Sequence, residues 1–212
     1  MGVGLGVNDV PIVGEPIAYG AGFVAFLFVC FSTFIGRYFY EYAAAGGQLL
    51  VLVGLARPIA GFGIYDERPV SGTLVVGGFG WVVGVLLITA GGVAPPLLGL
   101  AGASLIAAEN PWAVLLAATF LSILALLVAR NALAFTIPLL VVLGLGAALF
   151  YGSGEQQAFA AAFVVWFLLI AGALWSLRNR NGVLRRLLFI FVAVVALIVG
   201  AQLLLRPGYV IG

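Results

Sequence analysis

Side chains able to do chemistry are scarce in this chain. It contains no His and no Lys, a single Cys (Cys30), seven carboxylates and nine Arg. Without His the commonest general base near neutral pH and the commonest metal ligand are missing. Without Lys there is no amine for Schiff-base chemistry. The carboxylates Asp9, Glu15, Glu41, Asp66, Glu67, Glu109 and Glu155 are dispersed, whereas a tight metal site gathers three or four Cys, His or carboxylate donors. No metal and no cofactor are expected from this set. Gln48 stands out because it falls inside an apolar run. An amide there must hydrogen-bond to another helix or line a polar cavity, so helix pairing and contact with a bound peptide both remain open. Arg130-Asn131 sits at a tight connection and reads as a helix cap, with ligand binding as the alternative. Gly77-Gly78-Phe79-Gly80 does not lie between a strand and a helix of a βαβ unit, so no nucleotide site is indicated.

The elements that must position these residues are membrane helices. Hydrophobic residues make up 65% of the 212 and charged residues 8%, against roughly 45–50% and about 25% in soluble domains. Mean hydropathy is +1.28. So few charges cannot cover a soluble globule, and one Cys cannot build a disulfide framework. The scattered net charge of +2 gives no basis for binding nucleic acid. The composition describes an integral, multi-pass membrane protein whose surroundings are the lipid bilayer.

A spanning helix needs about 20 largely apolar residues. Such runs fall at 17–36, 40–56, 82–106, 111–129, 132–150, 157–177 and 184–205. The second is short, and the third is expected to break at Pro95-Pro96. The predicted fold is an all-α polytopic bundle of six or seven transmembrane helices. It forms one transmembrane domain over 17–205, between a polar N-terminal segment, 1–16, and a short tail, 206–212. That N-terminal segment does not read as a cleaved signal peptide. The charges, Arg37 and Glu41 among them, are expected in connectors, with none in mid-span and hence no proton relay. Seven Arg (Arg57, Arg68, Arg130, Arg178, Arg180, Arg185 and Arg186) fall on the side of the N-terminus, and Arg37 and Arg206 on the other. The excess predicts a cytoplasmic N-terminus.

Between 57 and 81, Ile64-Tyr65 and Thr73-Leu74-Val75-Val76 have strand character and flank the turn-rich Asp66-Glu67-Arg68-Pro69 and Ser71-Gly72. A short β-hairpin at the membrane surface is predicted there. Gly80 with Gly84, and Gly99 with Ala103, are small-xxx-small pairs suited to close helix packing. Trp112, Trp175, Tyr38 and Tyr40 read as aromatic anchors at the membrane interfaces. The four Arg at 178–186 read as a topology signal, with contact to anionic lipid head groups as the alternative.

Several segments, in order, resemble one family. Thr89-Ala-Gly-Gly-Val-Ala-Pro-Pro-Leu-Leu-Gly99 is similar to an Ala-Gly-Tyr-x-x-Pro-Ala-Leu-x-Gly segment, and Leu127-Val-Ala-Arg-Asn131 to a Val-Arg-Asn element. Gly146-Ala-Ala-Leu-Phe-Tyr-Gly-Ser153 and the aromatic span around Trp166 continue the likeness. Gly63-Ile-Tyr-Asp-Glu-Arg-Pro-Val-Ser-Gly-Thr73 resembles the hairpin after the catalytic helix. Together they resemble the site-2-protease-like intramembrane zinc metalloproteases, in their small actinobacterial-type form, over about residues 40–205. The resemblance implies a bacterial cell membrane and a His-Glu-x-Gly-His helix just before the hairpin. There two His at i and i+4 bind zinc and the Glu acts as base. The corresponding residues are Ala44-Ala45-Gly46-Gly47-Gln48, of which only Gly47 agrees. The family's third ligand, an Asp expected near 178–187, has no counterpart either.

The resemblance thus implies the fold and argues against the activity. The expected function is that of a catalytically inactive pseudoprotease. It would hold a transmembrane helix of a partner or serve as an accessory subunit of a membrane assembly. A small-molecule transporter or channel is the alternative, and a residual or unrecognised intramembrane peptidase a second one. Ala44, Ala45, Gly47 and Gln48 mark the degenerate motif. Gln48, Gly92, Pro95, Pro96 and Asn131 are the candidates to line the remnant cleft.

Overall fold

The computed structural model describes residues 13–31, 33–54, 62–64, 72–74, 81–178 and 183–205. Among the described residues there are seven helices: α1 (Glu15–Phe31), α2 (Thr33–Gly54), α3 (Trp81–Ala107), α4 (Pro111–Leu127), α5 (Ala132–Tyr151), α6 (Gly154–Arg178) and α7 (Val183–Leu205). Strands β1 (Phe62–Ile64) and β2 (Gly72–Leu74) pair antiparallel between α2 and α3, with Phe62 opposite Leu74 and Ile64 opposite Gly72. The expected hairpin is present, in a shorter form. The 66–69 turn, Asp9, Tyr65, Val75, Val76, the 77–80 run, Arg57, Arg68, Arg180 and Arg206 lie outside the described residues, as do the side chains of Arg37 and Arg178.

The stretch of α3 from Thr89, α5, α6 as far as Ser176, and α7 are long and apolar enough to cross a membrane. Helices α1 and α4 are apolar but 17 residues long. At about 1.5 Å per residue that is about 25 Å, a few ångströms short of a typical hydrocarbon core. The chain is an integral membrane protein, and its side chains are sorted accordingly. Large residues such as Phe23, Phe31, Phe120, Leu143, Phe150 and Phe191 face outward, where lipid takes the place of water. Small residues make up much of the interior: Ala18, Ala21 and Ala25 of α1, and Ala158, Ala161 and Ala162 of α6, are fully buried, alongside larger ones such as Leu115, Leu169 and Phe189. Lipid gives helices no hydrophobic reason to associate, so close backbone packing must supply the contact.

Helices α3 and α6 form the centre of the bundle; α3 packs on α6, α7 and α2, and α6 on α1, α3 and α7. Gly99 and Gly102 of α3 accept Leu169 and Val165 of α6 so closely that a Cβ on either would lie 2.9 or 2.6 Å from those side chains. Short connections are sealed locally. Asn110 caps α4 by accepting from the Ala113 N–H at 3.3 Å, and Ser153 and Gln156 form a reciprocal capping box on α6.

Three expectations need correction. Pro95 and Pro96 do not break the third span, since α3 runs unbroken through both. Gly91 and Gly92, four residues before them, leave the backbone room to adjust. The second helix begins earlier than expected: α2 starts at Thr33, so Arg37 and Glu41 lie inside a helix rather than in a connector. Glu41 is only 4% exposed. Tyr38 and Tyr40 are buried rather than anchored at an interface, Tyr40 stacking on Trp175 with ring centroids 5.0 Å apart.

Candidate functional site

Helix α2 carries the positions that the resemblance assigns to catalysis. At 3.6 residues per turn, Ala44 and Gln48 share a side of the helix and Ala45 lies beside them. Each meets a different neighbour. Half-buried Ala44 packs against a cluster formed by Ala25 and Val29 of α1, Tyr40 of α2, and Phe167 and Ala171 of α6. Ala45, 1% exposed, packs with Tyr38 and with Ala134 and Ile137 of α5. Gly47 faces α3, where a Cβ would fall 1.9 Å from the Cβ of Ala94. The Gln48 carboxamide lies against Gly91, its Nε2 only 2.7 Å from where a Cβ of that glycine would be. These side chains face the bundle interior, and protein fills the space beside them.

The contact of Gln48 with α3 has a physical reason. In a regular helix the N–H groups of residues 95 and 96 would donate to the carbonyls of Gly91 and Gly92, but prolines have no N–H. Two carbonyls deep in the bundle thus lose their intrahelical donors, and in a membrane such groups must be satisfied from elsewhere. Gln48 brings an amide donor to that turn. Of the cleft candidates, Gln48 and the turn leading to Pro95 are brought together. Gly92 turns to α7, where a Cβ would meet the Phe189 ring at 2.4 Å, and Pro96 is fully buried against Gly172 of α6. Asn131 is the N-cap of α5, accepting from the Ala134 N–H at 2.8 Å.

Sequence reasoning does not single out Glu41. It lies seven residues before Gln48 and so within about 20° of it around the helix axis. It is also one turn from Tyr38 and from Ala45, the residues that pack against the first turns of α5. That end of α5 carries the positive end of its helix dipole, a favourable setting for a carboxylate. The β1–β2 hairpin packs on α2, and β1 also on α5, so the hairpin adjoins the same helices. One residue further on, the Tyr42 hydroxyl donates to Ser122 Oγ of α4, which donates in turn to the Ala118 carbonyl at 2.6 Å. The signal available in the sequence is the spacing of Glu41 from Gln48, two helical turns.

With this geometry in place, comparison with known proteins is decisive for the family. A family model described as Peptidase M50B-like matches residues 57–186. The chain belongs to the Peptidase M50B-like family. The matched stretch of this M50B-like protein runs from just beyond α2, through the hairpin and α3–α6, into the first turn of α7. It includes 89–99 and 127–131 and leaves 44–48 outside. No curated protein and no solved structure shows a significant match.

The zinc ion implied by site-2-protease-like relatives can be tested against the donors present. Ala44 and Ala45 offer only methyl groups, and Gln48 offers a carboxamide engaged against α3. Among the described residues no three His, Cys, Asp or Glu side chains are grouped to hold a metal. The residues at this site do not fit a zinc ion.

Proposed function

We propose that this M50B-like protein is a non-catalytic member of its family, a helix-binding scaffold or accessory subunit within a larger membrane assembly. The observation that carries this reading is the chemistry of α2. Where a ligand pair and a base would stand there are two methyl groups and an amide, and the amide serves the α2–α3 contact. A second feature supports the scaffold role. Leu50, in the second half of α2, is 44% exposed. That outward side of α2 offers a partner's transmembrane helix a surface to pack against.

A photoreactive residue at position 50 of the full-length chain, irradiated in native membranes, tests this. The expected result is one defined crosslinked membrane protein that also co-purifies in mild detergent, with no such product from position 23. A partner that is cleaved in the presence of the chain, and left intact in its absence, would overturn the reading.

Buried Glu41 favours the transport alternative, because ionisable residues inside a membrane bundle mark ion or substrate pathways. If transport is the function, proteoliposomes should show solute or proton flux that Glu41→Gln abolishes. The scaffold reading predicts no flux from either protein.

A further inference from the structure

We infer that the start of α7, together with Thr89 of α3, forms a binding site for one anionic phospholipid. Between them runs an open groove of about 820 Å³, lined by Thr89, Val183, Leu184, Arg185, Leu187, Leu188 and Phe191. Its walls are apolar apart from Thr89 and Arg185. The apolar residues are largely uncovered: Leu184 is 83%, Leu187 58% and Phe191 67% exposed. Arg185 is half-buried at the groove, and among the described residues no hydrogen bond or ion pair holds its guanidinium. Arg186 beside it is exposed, and the segment 178–186 contains four Arg and no acid.

Charge selects the occupant. A basic group with no carboxylate partner among the described residues, at the end of a membrane-crossing helix, complements a lipid phosphate, and the guanidinium fork suits two phosphate oxygens at once. The apolar run fits an acyl chain. From Arg185 to Phe191 the helix rises about 9 Å, so the head group would rest on Arg185 and Arg186 while a chain lies along Leu188 and Phe191. A zwitterionic lipid would offer the apolar wall the same chain, but the cation of its own head group offsets its phosphate, so the net charge contact is weaker. The site is independent of α2 and of the scaffold reading.

Native mass spectrometry of the full-length protein in detergent, titrated with phosphatidylglycerol or with phosphatidylcholine of identical chains, tests the proposal. Phosphatidylglycerol should be retained preferentially, and Arg185→Gln should weaken that retention about fivefold, the effect of one basic residue at an anionic surface. Arg130→Gln removes the same charge elsewhere and should change nothing. Leu188→Trp fills the groove without altering charge and should also reduce retention. Equal retention of both lipids, an Arg185→Gln protein that holds phosphatidylglycerol as the native chain does, or an unaffected Leu188→Trp protein would each overturn the site. Melting temperatures in the same detergent separate these outcomes from misfolding.

Discussion

Gly46 and Gly47 are adjacent in sequence, yet the bundle treats them oppositely. A methyl group at Gly46 meets open space, while one at Gly47 would overlap Ala94 of α3. Gly46→Ala should be neutral or stabilise the protein by up to about 1 kcal/mol, the helix preference of Ala over Gly. Gly47→Ala must push α2 from α3 and should cost about 1–3 kcal/mol, as overpacking does. Thermal melts in detergent distinguish the two, and equal midpoints would argue against the close α2–α3 crossing. The sequence marks Gln48 as an amide in need of a partner and Asn131 as a cap, because both arguments depend only on local chemistry. Glu41 escapes such reasoning because a charge ordinarily marks the edge of a span. Backbone hydrogen bonding is indifferent to a side chain's charge, and a 22-residue helix places its ninth residue well inside the bundle.

Among the elements, α3 is the hardest to read. Two adjacent prolines argue for a break, and nothing local shows that a neighbouring helix can serve the carbonyls they release. The α2–α3 pairing makes Gln48 and Pro95 partners in one arrangement, so their substitutions should not be additive. Gln48→Leu alone should cost about 1–3 kcal/mol through a buried group left without its donor. In a Pro95→Ala background the helix regains its own N–H at that carbonyl, and the same Gln48→Leu change should cost less. A double-mutant cycle on thermal stability reads the difference directly. Strict additivity would show that Gln48 is not engaged with that turn. Other boundaries are legible: the spans expected at 111–129, 132–150, 157–177 and 184–205 differ by no more than three residues from α4, α5, α6 and α7 at either end. There, turn residues and the ends of apolar runs coincide.

At the scale of the whole molecule, the bundle presents many large apolar residues outward and buries alanines together with a few large side chains such as Leu169 and Phe189. A chain this poor in charge can take no other arrangement than one immersed in lipid, so membrane residence and helical architecture are legible from composition. Which helices touch is not, because every face of such helices is apolar and periodicity loses its meaning. The uneven distribution of Arg predicts an N-terminus in the cytoplasm; reporter fusions at the two ends should then show the N-terminal reporter inside and the C-terminal one outside. The family match supplies the fold's lineage, and we propose that α2 departs from that lineage's chemistry. Metal analysis of full-length protein, purified without chelators from zinc-supplemented cells, tests this departure most directly. The account predicts zinc far below one ion per chain after desalting; one tightly bound zinc per chain would contradict it.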